Sequence, residues 1–526
     1  MPQSFSLETP EFNLVETVET ETRREKIAPD PETPFRIALI GDFSGRAARG
    51  VEETGRNLAT RRAIFIDRDN FDEVLARIEP AVRLGEGEKL TLRFNELDDF
   101  HPDRIFDRVE LFAQLKETRR RLGHPKTFDQ AAAEVRRWAG IEERRGDKNN
   151  EAENQTDSET DSGGGSLLDQ MLDAAESSTA AGKPKKRTSP PTHDAALNDF
   201  LRRIVEPHVA PEVDPQRDEL IAAVDAGTGE LMRAILHHPD FQALEAIWRS
   251  TFLVVSRLET GPNLKVYLLD ISKEELIADL TATEDLRKSG FYQLIVEESV
   301  GTPGADPWAV LAGDFTFDYT RDDVELLGRV GLVARASGAP FLAAAHSHFA
   351  RCESLAATPD PADWTLKIDE DARAEWDALR ESPVAPFLGL ALPRFLLRLP
   401  YGAQTEDIEA FDFEEFTGDG DHESYLWGNP AFACAYLLGE AFSRDGWDLQ
   451  PGAGGEIENL PLHVYQSDGE SQTKPCAEVL LTQRAAEKIL ENGLMAFLSY
   501  RQGDKIRLAR FQSIAEPLKN LAGLWD

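Results

Sequence analysis

Residues 264–271 read LKVYLLDI, a short run of apolar and β-branched residues. Two similar runs follow, WAVLAGDF at Trp308–Phe315 and PFLAAA at Pro340–Ala345. Helical patterns at Lys273–Leu280 and Asp322–Ser337 separate the three runs. Strands that alternate with helices are typical of a sheet covered by helices, so the sequence predicts an α/β core with mixed strand directions.

The chain upstream predicts a second, smaller α/β module over residues 34–140. FRIALIGDF at Phe35–Phe43 and KLTLRF at Lys89–Phe94 have the composition of strands. Between them, NFDEVLARI at Asn70–Ile78 carries its apolar residues at helical spacing. We therefore expect residues 34–140 to form a small, self-contained domain, preceded by an extended arm at residues 1–33.

The composition changes sharply between the two modules. Residues 141–195 are predicted to be a disordered acidic linker, because EERRGDKNNEAENQTDSETDSGGG at Glu142–Gly165 has no apolar periodicity. The exception is SLLDQMLDAAES at Ser166–Ser177, which predicts a short amphipathic helix. Its apolar residues are Leu167, Leu168, Met171 and Leu172. A short amphipathic helix between two flexible segments is typical of a docking segment. The larger module is predicted to occupy residues 196–526.

The charge balance limits the classes of partner. The 526 residues include 95 acidic and 58 basic side chains, which gives a formal net charge of -37. Nucleic acids and anionic membranes attract cationic surfaces, so we expect protein partners, no nucleic acid and no membrane insertion. No apolar run approaches the roughly 20 residues of a membrane span, and no signal-peptide pattern is present, which together predict a cytoplasmic protein.

One group of residues has the chemistry of a metal site. His346 and His348 are two positions apart at the end of a predicted strand, where they share a face, and Cys352 follows closely. A metal-dependent enzyme that uses these three residues is an open alternative. No further histidine or carboxylate ligand lies at a suitable spacing, so the sequence predicts no metal, no cofactor and no catalytic residue.

Other polar motifs favour structural roles. GDFSGR at Gly41–Arg46 lacks the spacing of a phosphate-binding loop and predicts a turn. The adjacent His237 and His238 point about 100° apart on a helix, which favours capping or packing. Acidic pairs such as Asp98-Asp99 and Glu414-Glu415 are expected on solvated faces of so acidic a chain.

Five longer blocks resemble the large subunit of the contractile sheath of bacterial type VI secretion systems. They are ILHHPDFQALEAIWRS (Ile235–Ser250), GTPGADPWAVLAGDF (Gly301–Phe315), LPRFLLRLPYG (Leu392–Gly402), YLWGNPAFA (Tyr425–Ala433) and NLPLHVY (Asn459–Tyr465). The resemblance implies that the motif residues hold the fold and the subunit interfaces. These residues are His237, Pro239, Phe241, Leu244, Glu245, Trp248, Arg249, Asp314, Pro393, Arg394, Arg398, Pro400, Tyr401, Gly402, Trp427, Gly428, Asn429 and Pro461.

The smaller module resembles the small subunit of the same sheath. The resemblance rests on PFRIALIGDFSGR (Pro34–Arg46), FIDRDNFDEVLARIEP (Phe65–Pro80) and LRFNELDDFHPDRIF (Leu92–Phe106). The chain is therefore interpreted as a small subunit fused to a large one, that is, two mixed α/β sheath modules joined by a linker.

This resemblance implies a structural protein that polymerises into a helical sheath around an inner, Hcp-like tube and contracts to propel that tube. The implied partners are copies of the same chain, the tube protein, the baseplate and a ClpV-like AAA+ unfoldase, which would grip the helix at residues 166–177. Family large subunits usually continue well past the segment that ends this chain. The linkage between neighbouring subunits is therefore in question, and a sheath-related accessory or terminating protein is the alternative.

Overall fold

The structure is a computed structural model that describes residues 29–85, 90–138, 217–417, 422–467 and 470–526. The predicted linker and its amphipathic helix, with Leu167, Leu168, Met171 and Leu172, lie outside the described residues. Most of the predicted N-terminal arm also lies outside them. Below, residues 29–138 are called the small part and residues 217–526 the large part. Within these described residues, no helix has both the length and the apolar character that a membrane span requires.

Strands and helices alternate along both parts. The strands are β1 (Phe35–Gly41), β2 (Ile64–Ile66), β3 (Ala81–Leu84), β4 (Leu90–Arg93), β5 (Leu264–Asp270), β6 (Val310–Phe317), β7 (Phe341–Ala345), β8 (Leu388–Leu392), β9 (Phe395–Leu396), β10 (Trp427–Gly428), β11 (Gly455–Ile457), β12 (His463–Ser467), β13 (Glu470–Lys474), β14 (Met495–Ser499) and β15 (Ile506–Leu508). The α-helices are α1 (Arg56–Ala59), α2 (Phe71–Ile78), α3 (Pro102–Arg108), α4 (Glu110–Gly123), α5 (Phe128–Trp138), α6 (Arg217–Leu236), α7 (Pro239–Arg257), α8 (Lys273–Thr281), α9 (Gly290–Tyr292), α10 (Arg321–Ser337), α11 (Glu370–Glu381), α12 (Pro430–Asp445) and α13 (Gln483–Glu491).

One sheet organises both parts. It contains nine strands in the order β11-β15-β14-β8-β7-β6-β1-β5-β2. The six strands from β14 to β5 are parallel. At the edges, β2 is antiparallel to β5 and β15 is antiparallel to β14. The predicted α/β class with mixed strand directions is therefore confirmed.

Strand β1 of the small part lies in the middle of this sheet. It pairs in parallel with β5 over Phe35–Gly41 and with β6 over Ile37–Ile40. The prediction of a self-contained small domain is therefore wrong. An apolar strand that is buried on both faces needs a strand on each side and helices above and below. Both strands beside β1, namely β5 and β6, belong to the large part.

Helices cover both faces of the sheet. Alternate side chains of a strand point to opposite faces, so Ile37 and Leu39 enter one core while Ala38 and Ile40 enter the other. The first core is built from α2 to α7 and α12, and the second from α1, α8 to α11 and α13. The first core contains residues of both parts, so helices of the small and large parts share one apolar interior.

Candidate functional site: the interface between the two parts

Helix α7, which carries the first sheath-like block, begins with a histidine cap. The Nδ1 atom of His238 accepts the backbone N–H of Asp240 at 3.2 Å. Pro239 occupies the first helical turn, where a missing N–H is tolerated. The preceding His237 instead places its Nε2 3.3 Å from Oε1 of Glu415. The two histidines therefore have separate structural roles: His238 caps α7, and His237 contacts Glu415.

The apolar face of α7 packs against the small part. The ring of Phe241 contacts the rings of Phe94 and Phe100, at centroid distances of 5.9 and 5.8 Å. Two helical turns later, the indole N–H of Trp248 donates to the carbonyl oxygen of Phe43 at 2.9 Å. Trp248 is fully buried, so this hydrogen bond satisfies a donor that water cannot reach. Both motif aromatics thus bind α7 to the small part.

A buried ion network lies beside this apolar face of α7. Arg398 donates from Nε to Glu245 at 2.9 Å and from Nη1 to Glu415 at 2.8 Å. Arg249 donates to the same Glu245 carboxylate at 2.7 Å. Arg398, Glu245 and Glu415 are 5%, 0% and 1% exposed. Two carboxylates and two guanidinium groups therefore balance each other where water cannot screen them.

Glu415 stays charged across the physiological pH range. Burial alone raises the pKa of Glu415, but the charge of Arg398, with hydrogen bonds from His237, Arg398 and the Tyr401 N–H, outweighs it and lowers the pKa to about 2. Burial also raises the pKa of the Tyr401 phenol, whose oxygen accepts a hydrogen bond from Arg249 at 3.2 Å. Neither Glu415 nor Tyr401 is therefore poised for proton transfer near neutral pH. The network stabilises the path of the chain between Arg398 and Glu415.

The burial of Glu415 corrects the expectation that acidic pairs lie on solvated faces. Asp99, from another such pair, is also buried, where it accepts the Asn95 N–H and forms an ion pair with Arg108. The sequence does hold a signal for Glu415. Arg398 lies in a leucine-rich block, and a buried arginine requires a carboxylate partner.

The segment that follows Arg398 contacts the small part directly. Asp103, in the first turn of α3, accepts the backbone N–H groups of Glu409 and Ala410 at 3.1 and 2.8 Å. The rings of Phe106 and Phe411 stack at a centroid distance of 5.0 Å. The ion network therefore fixes a loop of the large part that in turn holds α3.

The loop after β1 joins the two parts at the carboxyl edge of the sheet. Asp270, at the end of β5, accepts the backbone N–H of Ser44 at 3.1 Å and Nε of Arg46 at 2.9 Å. Gly45 has a φ of +71°, and a Cβ atom there would lie 2.3 Å from the Ala81 carbonyl oxygen. The loop is the turn that the sequence predicts, and its glycine permits a close backbone approach.

A second group of contacts holds the chain between β1 and β2. Glu275 of α8 is fully buried and accepts Nη1 of Arg61 at 2.7 Å and the backbone N–H of Glu53 at 3.0 Å. Asp279, one turn later, accepts the backbone N–H of Gly55 at 2.7 Å. The sequence does not indicate the burial of either carboxylate, because nothing in the helix that carries them distinguishes these positions from solvated ones.

Two carboxylates line one cavity beside this loop, Asp314 of β6 and Asp42, which follows β1. Burial and then the charge of Asp42 raise the pKa of Asp314 to about 7. Burial raises the pKa of Asp42 as well, although hydrogen bonds from the Arg46 and Ala47 N–H groups oppose the change. The motif residue Asp314 is thus a titratable group at the junction of the two parts.

The remaining motif residues make other contacts, and Leu244 lines a cavity at this junction with Asp42 and Asp314. Arg394 donates to Glu478 at 2.6 Å and to Glu423 at 3.1 Å. Asn429 caps α12 by accepting the Ala431 N–H at 2.9 Å. Leu244, Pro393, Pro400, Gly402, Trp427 and Gly428 are buried, and Pro461 is half-buried. The motif residues therefore divide between the interface and a second polar region around Arg394.

The structure separates Cys352 from the two histidines of the metal-enzyme alternative. His346 and His348 lie side by side, but the closest third ligand is Asp318, whose Oδ1 is 2.8 Å from Nδ1 of His348. Cys352 is buried, and its sulfur faces the Thr358 carbonyl oxygen at 4.0 Å. Burial raises the pKa of the Cys352 thiol. The structure therefore does not bring Cys352 together with His346 and His348, as the metal-enzyme alternative requires.

The fold and this interface define a class of two-part α/β protein in which each part completes the sheet and core of the other. Residues 218–515 match the family model described as VipB, EvpB-type tail sheath N-terminal domain. Residues 15–136 match the model described as Type VI secretion system, VipA. The chain therefore belongs to the VipB tail sheath family, with a VipA part ahead of it, and the predicted fusion of small and large sheath subunits is confirmed.

Two relatives come from Pseudomonas aeruginosa. The type VI secretion system sheath protein TssC1 is 35% identical over 306 residues, which cover 57% of this chain and 61% of TssC1. The sheath protein TssB1 is 30% identical over 105 residues, which cover 18% of this chain and 59% of TssB1. The chain thus spans about three fifths of the length of each of these relatives.

Proposed function

We propose that this chain is a structural subunit of a type VI contractile sheath, in which copies polymerise around an inner, Hcp-like tube and contract to propel it. The observation that supports this most is the position of β1 between β5 and β6. A sheath needs small and large subunits in equal number, and this chain carries both as one folded unit. Each chain would therefore add a complete building block to the growing polymer.

The proposed role is assembly in the bacterial cytoplasm, with the baseplate and a ClpV-like unfoldase as further partners and no reaction catalysed. The charges at the interface support a structural role. Arg398 forms ion pairs with Glu245 and Glu415, so these charged groups are already paired within the fold. Contraction would then be a change in the contacts between chains, while the interior of each chain is retained.

Electron microscopy of the purified full-length chain, alone and mixed with its tube protein, tests the proposal. We expect hollow tubes whose walls contain only this chain, and more of them when the tube protein is present. High-speed sedimentation of the same mixtures gives the polymerised fraction, with the tube protein alone as the control. Single particles under every condition would contradict polymerisation and favour the accessory or terminating role.

A further inference from the structure

A cavity of about 350 Å³ opens at the carboxyl ends of β6, β7 and β8. Its wall includes His346, which follows β7, together with Arg394 and Glu478. In α/β sheets, ligands usually bind outside the carboxyl ends of the parallel strands. This edge is therefore where a bound group is expected, and it is separate from the interface between the two parts.

His346, which lines this cavity, converges with two further side chains of metal-binding chemistry, His348 and Asp318. The backbone N–H of His346 donates to the Phe317 carbonyl oxygen at 2.8 Å, which fixes the start of the turn after β7. That turn places the ring centroids of His346 and His348 4.0 Å apart. Oδ1 of Asp318, which follows β6, lies 2.8 Å from Nδ1 of His348 and 3.8 Å from Nδ1 of His346. Two adjacent strand ends thus direct two imidazoles and one carboxylate to one point.

A second group with suitable ligand spacing lies nearby, but protein cations already neutralise it. It consists of His422, Glu423 and Glu478. Arg394 donates to Glu478 at 2.6 Å, and Nζ of Lys474 lies 2.7 Å from Nδ1 of His422. By contrast, the ion pairs of Asp318 among the described residues are made with the two histidines alone.

We propose that Asp318, His346 and His348 bind one divalent transition-metal ion, for which zinc is the reference. Ligands at about 2.0–2.2 Å from a tetrahedral zinc are roughly 3.3–3.6 Å apart. That range falls between the 2.8 and 3.8 Å that separate the Asp318 oxygen from the two imidazole nitrogens. Two imidazoles and one carboxylate suit zinc or its neighbours better than magnesium or calcium. Three protein ligands leave a fourth position, which would face the cavity and take water or a small anion. The ion would also join the end of β6 to the end of β7.

Zinc titration of the full-length chain, after removal of bound metal with a chelator, tests this site. We expect one zinc per chain by elemental analysis, with the affinity measured by competition against a chromophoric chelator. Asp318→Asn and His348→Ala should each weaken zinc binding at least tenfold, because each removes one of three ligands. Zinc should raise the unfolding temperature of the unaltered chain and leave that of both variants nearly unchanged.

Two matched variants locate the binding. Cys352→Ala should bind zinc as tightly as the unaltered chain, as should His124→Ala, which removes an exposed histidine far along the sequence. If His348→Ala lowers the unfolding temperature of the metal-free protein, His348→Gln provides the comparison with less loss of packing. The proposal is overturned if the unaltered chain holds less than one zinc, or if the His346→Ala/His348→Ala double variant binds zinc with unchanged affinity.

Discussion

At the scale of single residues, Arg398 has the largest expected effect on stability. Its guanidinium group contacts Glu245 and Glu415, and all three side chains are almost completely buried. Removing one member of a buried ion network leaves charges that neither protein nor water compensates. An exposed ion pair has no such penalty, because water solvates each member after the other is removed.

We therefore expect Arg398→Met to lower the free energy of unfolding by about 3–5 kcal/mol. The matched control is Arg373→Met, which breaks a pair with Asp377 whose members are 59% and 52% exposed. That change should cost less than about 1 kcal/mol. Thermal unfolding followed by circular dichroism compares the two variants. Equal unfolding temperatures would contradict the structural role given to the network.

Asp314 should make stability depend on pH. Its pKa is about 7 in the folded chain against an ordinary value of 3.8. Between these two pH values the folded state therefore holds a proton that the unfolded state has released. This contribution to stability is complete below about pH 4 and is lost as the pH rises through about 7. Asp314→Asn should therefore gain stability relative to the unaltered chain at pH 8, by roughly 1–3 kcal/mol.

Unfolding temperatures measured from about pH 5 to about pH 8 provide the comparison. The advantage of Asp314→Asn should shrink as the pH falls, because the unaltered aspartate then becomes neutral too. Asp322→Asn, an exposed change on the first turn of α10, is the control and should show no such trend. A constant difference between Asp314→Asn and the unaltered chain at every pH would contradict the assignment.

The sequence predicts some of these residues and misses others for a physical reason. Glu245 and Arg398 stand in family motifs, and an ionisable residue inside an apolar block indicates burial. Glu275 and Glu415 lie in acidic surroundings where most carboxylates are solvated. Their burial depends on which segment, distant in sequence, packs against them. The spacing of charges along the chain does not indicate that tertiary contact.

At the scale of elements, the apolar pattern predicts most strands and helices but not their neighbours. The pattern at Phe35–Phe43 predicts a strand, and the structure has β1 there. The near-continuous apolar run is also typical of a strand buried on both faces. Which strands flank it is decided by the sheet as a whole, and the partners of β1 are more than 200 residues away in the chain.

The amphipathic helix predicted at residues 166–177 can be tested as the docking segment for a ClpV-like unfoldase. Leu168→Asp together with Met171→Asp should abolish binding of the unfoldase, because charges would replace the centre of the apolar face. Asp169→Asn and Asp173→Asn, on other faces, should leave binding unchanged. Co-sedimentation of the unfoldase with assembled chain measures the effect. Equal binding by both double variants would indicate that the helix packs on its own chain.

At the scale of the whole molecule, the net charge of -37 opposes the approach of one chain to another. Salt screens this repulsion, with a Debye length of about 8 Å near physiological ionic strength. We expect the polymerised fraction to rise as sodium chloride is increased from low to physiological concentration. High-speed sedimentation across the salt series measures that fraction. A steady fall would mean that attractive ion pairs between chains dominate the repulsion.

The claim that the two parts form one folded unit can be tested by cutting the linker. A protease site placed within residues 142–165 allows the chain to be cleaved after it has folded, and gel filtration then separates any free fragments. Because β1 lies between β5 and β6, we expect both fragments to elute together in equal amounts until a denaturant is added. Elution of the small fragment as a separate folded species, without denaturant, would contradict the account.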